Sequence, residues 1–183
     1  AEAIAKVRES DGKANLITNA ACFGCTIACG RISQIDRTHL SVAERPQNHK
    51  ASGGLEYEAA WALGAATGVV DLEALTFANF VCNEQGIDPI TFGATLGAAM
   101  ELFEDGALTE EQTGMSLKFG DAKALCEMAL LTGKGVGFGA ELGLGSKLLT
   151  EKYGRPELSM GVKGQEFPAY DGRGIQGIGL AYA

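Results

Sequence analysis

Apolar residues recur at helical spacing through the centre of this chain, over residues 55–155. An alanine-rich segment, YEAAWALGAAT, ends at Gly68, and glycine commonly follows the last turn of a helix. Later segments repeat their core-facing residues every three or four positions, as amphipathic helices do. Two such sets are Leu72, Leu75, Asn79 and Cys82, and Phe92, Leu96, Ala99 and Phe103. The pattern predicts a helical body.

Helix-capping residues precede several of these segments. Asp71 and Asp121 can each accept hydrogen bonds from the first free N–H groups of a helix. Asp88 is followed by proline, a favoured first helical residue. The sequence TEEQ, residues 109–112, has the form of a capping box. The predicted helix ends are Gly86, Gly106 and Gly133.

The flanking segments have weaker patterns. Residues 2–9 are predicted as a short amphipathic helix, and RISQIDRTHLSV, residues 31–42, as a strand or one arm of a hairpin. Residues 136–153 are predicted as one glycine-interrupted helix, and residues 159–183 as a loop. We therefore predict a mainly α fold, an irregular domain of five or six helices with at most a minor β element.

Composition limits the function classes. The chain has 183 residues, a length that suits a single domain. Its formal charge of -8 disfavours nucleic acid as a partner, because phosphate binding requires a basic face. No apolar run is long enough for a membrane span, and the first residues of this sequence do not have the pattern of a secretory leader, so we expect a cytoplasmic protein. Because the sequence begins without methionine and stops without a polar tail, we expect it to be a piece of a longer protein.

Three of the five cysteines lie in one short stretch, Cys22-x2-Cys25-x3-Cys29. Thiolates two and three residues apart on a tight turn can reach different corners of one compact inorganic cluster. Gly24 and Gly30 allow the backbone to fold closely around it. An odd cysteine count makes a poor disulfide framework and favours a metal site in a reducing compartment. We interpret residues 19–32 as an iron–sulfur cluster loop.

Two other interpretations of this loop stay open. The cysteines could be free or buried side chains, or they could hold zinc, although the second close pair of ligands typical of zinc is missing. An iron–sulfur cubane requires four cysteines. The fourth could be Cys82 or Cys126, both in predicted helices, or a residue outside these 183.

Four stretches, taken in order, make the chain similar to a known family. They are CFGCTIACGR, GGLEYEAAWALG, FVCNEQGID and VKGQEFPAYDGRGIQGIGLAYA. In order and spacing they resemble the tungsten-containing aldehyde:ferredoxin oxidoreductases, from about residue 20 to the last residue. The resemblance implies a fragment from the centre of such an enzyme, mostly its second domain, which is largely helical in the family.

The resemblance implies a [4Fe-4S] cluster held by Cys22, Cys25 and Cys29. In the family a D-x-x-G-L-C motif far downstream supplies the fourth cysteine, so the resemblance puts that ligand beyond this chain. The stretch DAKALC, which ends at Cys126, imitates that motif, but Ala124 replaces its glycine and it follows the loop too soon. The resemblance also implies that residues 159–183 form a wall of the cofactor site.

A second family motif, D-x-x-G-L-D, contacts the pterin of the tungsten cofactor. Here it becomes Asn83-Glu84-Gln85-Gly86-Ile87-Asp88, so the resemblance implies pterin contacts from Asn83, Gly86, Ile87 and Asp88. Asn83 stands in place of an aspartate, and an amide both donates and accepts hydrogen bonds, whereas a carboxylate only accepts. The alternative role of Asp88 is to cap the following helix.

The stretch EYE contains Glu56 and Glu58 and matches a family segment that supplies a carboxylate near the metal. The resemblance implies that one of them moves the proton released when an aldehyde is oxidised, and spacing back from Asn83 favours Glu58. Either glutamate could instead be a solvated residue of a first helical turn. The histidine partner of the family lies past residue 183, and we expect His39 and His49 at the surface.

The implied function is the oxidation of aldehydes to carboxylic acids at a tungsten (or molybdenum) bis-pterin, with electron transfer through the cluster to ferredoxin. The other implied partners are a small aldehyde, the remainder of the parent chain and, as one option, a second copy in a homodimer. Three rival functions stay open: a carboxylic-acid or aromatic thioester reductase on the same scaffold, an iron–sulfur electron-transfer module without catalytic metal, and a structural zinc domain.

Overall fold

Helices form most of the regular structure. A computed structural model describes residues 2–183, with the backbone alone at residues 51 and 52, and nine α-helical segments lie within that range. They are α1 (Glu2–Ala5), α2 (Tyr57–Ala60), α3 (Leu72–Gln85), α4 (Pro89–Glu104), α5 (Glu110–Thr113), α6 (Ala122–Lys134), α7 (Phe138–Leu142), α8 (Ser146–Lys152) and α9 (Gln176–Tyr182). The mainly α class is confirmed. The segments exceed the predicted number because several are single turns.

The strands form two small antiparallel sheets. One has the order β1 (Leu16–Ala20), β2 (Gly30–Gln34) and β3 (Lys50–Ser52), and the other pairs β4 (Gly161–Val162) with β5 (Gln165–Glu166). The strand predicted over residues 31–42 is confirmed only in its first part, because β2 ends at Gln34 and the chain then enters turns. The loop predicted for residues 159–183 is wrong in part, because that region contains the β4–β5 hairpin and α9.

The predicted helix starts are confirmed by their hydrogen bonds. The Asp71 carboxylate accepts the N–H groups of Glu73 and Ala74 at the start of α3, and Asp121 does the same for α6. The capping box at the start of α5 is present. Helix α6 continues one residue past its predicted end at Gly133, because Gly135 is the residue that adopts the left-handed conformation.

Two helix predictions are wrong in extent. The single helix over residues 136–153 is two helices, because residues 143–145 form a turn in which Gly145 has a φ of +83°. The helix over residues 2–9 ends at Ala5, and Val7 forms an isolated β-bridge with Ala14. The chain therefore ends its helix two residues before Val7, which pairs with Ala14 instead.

Helices α3, α4 and α6 enclose the main hydrophobic core. Its largest fully buried side chains on these helices are Phe77, Phe92, Leu96, Met100, Leu102, Leu125 and Met128. A π-helical turn, Trp61–Ala65, continues α2 and packs on α4. A Cβ at Gly93 in α4 would overlap the carbonyl of Ala62 in that turn, so glycine permits this close approach. The contact fixes α2 against the core.

Both histidines are half-buried, so their predicted surface position is wrong. The Nε2 of His39 lies 3.1 Å from the Asp71 carboxylate, and the Nδ1 of His49 lies 2.6 Å from the Ile35 carbonyl oxygen. Both rings therefore connect loops to the body of the domain. Across residues 2–183, the helices are too short or too polar to cross a bilayer.

Candidate cofactor groove and cysteine loop

One groove collects three of the side chains singled out from the sequence. Glu56, Glu58 and Asn83 line a cavity of about 250 Å³ together with Gly53 and Gly54. The groove lies where β3 runs into α2 and where α3 passes into α4. Residues far apart in sequence therefore meet at one surface.

The two carboxylate oxygens of Glu58 have different surroundings. Its Oε2 accepts the backbone N–H of Ala169 at 2.9 Å, while its Oε1 is closed to solvent and has no hydrogen-bond partner in the described part of the chain. A buried oxygen without a donor costs stability unless a ligand or water satisfies it. The neighbouring candidate, Glu56, is exposed and makes no side-chain capping bond. Of the two, Glu58 is the less exposed, and its carboxylate is the one with a backbone hydrogen bond.

Asn83 makes the contact that its amide allows and a carboxylate would not. Its Nδ2 donates to the carbonyl oxygen of Gly53 at 3.0 Å, and the Asn79 amide donates to the same oxygen. Gly53 has a φ of +74°, and a Cβ there would overlap the Asn83 amide. The structure thus gives a local reason for asparagine at this position.

The residues after Asn83 form the turn into α4. Gly86 has a φ of +68°, and Ile87 donates its N–H to the Cys82 carbonyl at 2.8 Å. The Asp88 carboxylate accepts the N–H groups of Ile90 and Thr91 at 3.3 and 3.1 Å, so its capping role is confirmed.

Asp88 also lines a second cavity, of about 410 Å³, together with Glu166 and Tyr182. Ile90 lines both this cavity and the groove, so the two spaces are neighbours. The Tyr182 hydroxyl is buried and has no partner within the described residues. Donors and acceptors are therefore available here for a polar ligand.

The cysteine loop joins β1 to β2, with residues 21–29 between the strands. Cys22 and Cys29 are exposed and Cys25 is half-buried. The Cys25 N–H donates to the Cys22 carbonyl at 3.0 Å, and the Ile27 N–H lies 3.4 Å from the Cys25 sulfur. This N–H···S contact orients the Cys25 side chain within the turn. Nowhere in residues 2–183 do three Cys, His, Asp or Glu side chains converge tightly enough to hold a metal ion.

The other two cysteines have a different environment. Cys82 and Cys126 are completely buried in the core formed by α3 and α6. Burial raises the pKa of each thiol to about 12, so both remain protonated at neutral pH. A metal-binding cysteine acts as the thiolate. The three loop cysteines are therefore the accessible sulfur donors.

Backbone hydrogen bonds connect the cysteine loop to the groove. Strand β2 begins directly after Cys29, and its Arg31 carbonyl accepts the N–H of Gly54 at 3.0 Å. The Arg31 guanidinium donates to the Leu55 carbonyl at 2.9 Å. Gly54 lines the groove, and its partner Arg31 is only two residues after Cys29. The last cysteine of the loop is therefore close to the groove along β2.

Sequence reasoning missed the role of the Ala169 backbone. It treated the C-terminal region only as part of a cofactor wall, whereas Ala169 contacts Glu58 directly. The next residue, Tyr170, packs its ring 5.9 Å from that of Tyr57, beside Glu58. A backbone donor leaves no signal in residue type, so only the fold could reveal it.

A helical domain in which an accessible thiol loop lies beside a carboxylate groove is compatible with a domain of an oxidoreductase. The whole chain, residues 1–183, matches the model of the family described as aldehyde ferredoxin oxidoreductase, domains 2 and 3. The chain belongs to the aldehyde ferredoxin oxidoreductase family.

Curated relatives agree with this membership. The tungsten-containing aldehyde ferredoxin oxidoreductases of Pyrococcus furiosus and Thermococcus kodakarensis are each 42% identical over 170 residues, which is 92% of this chain and 26% of each relative. The WOR-like subunit of an aliphatic sulfonate oxidoreductase from Pyrococcus furiosus is 30% identical over 68% of this chain and 19% of its own length. The chain spans about a quarter of the length of the first two relatives.

Proposed function

We propose that this chain is part of a tungsten–pterin oxidoreductase that oxidises aldehydes to carboxylic acids and passes the electrons through a [4Fe-4S] cluster to ferredoxin. The observation that carries the proposal is the connection of the Glu58 groove to the cysteine loop through β2. Electron transfer between two cofactors requires their sites to lie close together, and the bonds of Arg31 to Gly54 and Leu55 support that proximity. The names of the similar relatives supply the reaction class.

Cys22, Cys25 and Cys29 would hold the cluster. Their exposure and the Ile27 N–H beside the Cys25 sulfur fit thiolate donors. We assign the fourth ligand to a part of the parent protein outside these 183 residues, because the pKa of Cys82 and that of Cys126 are raised by burial in the core.

Asn83, Gly86, Ile87 and Asp88 would hold the pterin. The Asn83 side-chain carbonyl and the Asp88 carboxylate are acceptors for pterin N–H groups, and the left-handed Gly86 exposes backbone between them. Tyr182, whose hydroxyl has no partner among the described residues, lines the same cavity as Asp88, and this supports a polar ligand in the region. When bound, the tungsten (or molybdenum) bis-pterin would supply the two-electron acceptor chemistry of the reaction.

Glu58 would act as the proton acceptor. Oxidation of an aldehyde with water to a carboxylic acid releases two electrons and two protons, so a base near the substrate assists the reaction. Glu58 Oε2 is already bound to Ala169, which leaves Oε1 to receive a proton. Glu56, exposed at the mouth of the same groove, would pass the proton to solvent.

The cysteine loop would also be the electron exit. Phe23 and Ile27, between the cysteines, expose 108% and 79% of their surface, and exposed apolar side chains are typical of contact sites for other proteins. We propose ferredoxin as the acceptor, one electron at a time, and a small aldehyde as the substrate. Free cysteines throughout the described chain are compatible with a reducing cytoplasm.

The test uses the full-length parent protein. We expect tungsten or molybdenum together with about four irons per chain, and aldehyde-dependent reduction of ferredoxin. A Glu58→Gln variant should retain both metals but lose activity by about 100-fold, in line with the removal of a general base. Glu151→Gln, at an exposed position of α8, should retain activity. Absence of both tungsten and molybdenum would contradict the proposal.

The same measurements separate the rival functions. Iron without tungsten or molybdenum would favour an electron-transfer module, and colourless protein with stoichiometric zinc would favour a structural zinc domain. Reduction of carboxylic acids or aromatic thioesters with a low-potential dye, without aldehyde oxidation, would favour a reductase on the same scaffold.

A further inference from the structure

A buried carboxylate outside the groove anchors the segment that reaches Glu58. Glu166, at the end of β5, is only 9% exposed. Its Oε1 accepts the backbone N–H of Ser146 at 2.7 Å and lies 3.5 Å from the Thr95 hydroxyl. Ser146 begins α8 and Thr95 lies in α4, so one side chain joins the β4–β5 hairpin to two helices. Among the described residues, no basic side chain forms an ion pair with Glu166, so its hydrogen bonds must compensate for its burial.

The residues after Glu166 follow a constrained course. Phe167 donates its backbone N–H to the Met160 carbonyl at 3.0 Å, which extends the hairpin by one bond. Its ring packs against Tyr182 with 5.0 Å between the ring centroids. Pro168 has a fixed φ because of its ring. These constraints limit the position of the backbone N–H group that follows Pro168.

That next N–H belongs to Ala169, and it donates to Glu58 Oε2 at 2.9 Å across 111 residues of sequence. A carboxylate bound through one oxygen points its other oxygen in a defined direction. Oε1 of Glu58 is the oxygen without a partner. A hydrogen bond to an ionised acceptor is among the stronger ones in proteins, so this contact can fix the side chain.

We propose that residues 166–169 position the Glu58 carboxylate for the proposed reaction. Glu166 anchors the segment, and the Ala169 N–H holds Oε2 so that Oε1 stays free for the substrate proton. Both are positioning residues, because neither contacts the reacting atoms in this arrangement. The effect on catalysis rests on the proposed function. The hydrogen bond between Ala169 and Glu58 can be tested without measuring any reaction.

Amide hydrogen exchange in the full-length protein tests the hydrogen bond. We expect Glu58→Ala to accelerate exchange at residue 169 by about tenfold or more. Loss of a hydrogen bond to a charged acceptor raises the equilibrium constant for local opening by at least about tenfold. Glu56→Ala, two residues away, is the matched control and should leave exchange at residue 169 unchanged. Unchanged exchange at residue 169 in Glu58→Ala would overturn the proposal.

The anchor is tested by a pair of substitutions at the same residue. Glu166→Ala should accelerate exchange at residues 167 and 169, whereas Glu166→Gln keeps a side-chain carbonyl for the Ser146 N–H and should retain most of the protection. Exchange in α3 serves as the measure that each variant is folded. Equal protection at residue 169 in both variants and the parent would remove Glu166 from the proposal.

Steady-state kinetics test the consequence for the reaction. Ala169→Pro removes the N–H donor, and we expect kcat to fall about tenfold with KM within twofold and metal content unchanged. Ala169→Gly retains the donor and should keep kcat close to that of the parent. Unchanged kcat in a folded Ala169→Pro variant, or a rise in KM alone, would overturn positioning. A parent protein without aldehyde oxidation would instead overturn the proposed function, and the exchange result would still decide whether Ala169 holds Glu58.

Discussion

At the scale of single residues, the carbonyl oxygen of Gly53 organises the groove. It accepts from the amides of Asn79 and Asn83, and the positive φ of Gly53 turns it toward both. Gly53 and Asn83 are exposed, while Asn79 is buried, so these bonds join the surface of the groove to α3. The groove wall is therefore built from amide donors around one backbone oxygen.

Asn83→Asp should weaken this wall more than Asn83→Ala. A carboxylate at residue 83 would bring a second acceptor to the Gly53 oxygen, where the amide now donates at 3.0 Å. We expect the Asp variant to cost about 0.5–1.5 kcal/mol locally, through loss of the bond and added repulsion between two acceptors at an exposed position. Hydrogen exchange at residues 53–55 and the pterin content of the full-length protein measure the effect. Tighter pterin retention with unchanged exchange in the Asp variant would contradict it.

The two kinds of cysteine should respond differently to substitution. Cys25→Ala in the full-length protein should remove most of the iron and its visible absorbance, because a loop thiolate is lost. Cys82→Ala should retain the iron, since the pKa of that thiol is raised to about 12 by burial and it packs as a core side chain. Iron loss in Cys82→Ala equal to that in Cys25→Ala would identify Cys82 as a ligand.

At the scale of elements, the contact between α4 and the π-helical turn determines where α2 carries Glu58. Gly93→Ala would place a methyl group against the Ala62 carbonyl, so the turn must move. We expect a loss of about 1–3 kcal/mol, typical of overpacking, and reduced activity as α2 shifts. Gly177→Ala in α9, where a Cβ meets no atom within 4 Å, is the matched control and should change stability little. Thermal denaturation of the two variants makes the comparison.

The start of α3 should depend on pH through Asp71. The hydrogen bond from His39, followed by the backbone N–H groups that Asp71 caps, lowers the pKa of this carboxyl below its usual value. A folded-state pKa below the unfolded one contributes stability above the unfolded value, about 3.9, and this contribution is lost as pH falls through the folded value. Asp71→Ala should therefore cost about 1 kcal/mol at pH 7 and much less at strongly acidic pH.

Protection of the α3 amides at several pH values measures this effect. Asp71→Asn retains a capping oxygen without the charge, so it should lose less protection at pH 7 than Asp71→Ala. A difference between Asp71→Ala and the parent that is independent of pH would show that the carboxylate charge has no part in the cap.

At the scale of the whole molecule, the features that depend on neighbouring residues in the sequence could be predicted. Asp71, Asp88 and Asp121 begin helices as expected, because a capping side chain acts on the N–H groups two and three residues ahead. The division between α7 and α8 was not predicted, since whether Gly145 continues or breaks a helix depends on packing. The β4–β5 hairpin was missed for a similar reason, because its strands have two residues each and no period to detect.

The same limit applies to the candidate site: its local motifs could be found in the sequence, and its long-range contact could not. The cysteine spacing and the residues Glu58, Asn83 and Asp88 were visible as motifs, and the fold brings the last three to adjoining cavities. The contact of Glu58 with Ala169 was beyond sequence reasoning, because it joins a side chain to a backbone group 111 residues away.

The antiparallel pairing of β2 with β3 makes this domain tolerant of length changes at one place. Residues 35–49 connect the two strands, and Ala43 and Glu44 within them are exposed. Extra residues inserted between these two would enlarge a surface bulge, while the strand register on either side would be restored by its own hydrogen bonds. Such an insertion would change the number of residues between Cys29 and Glu58 without changing the distance between them.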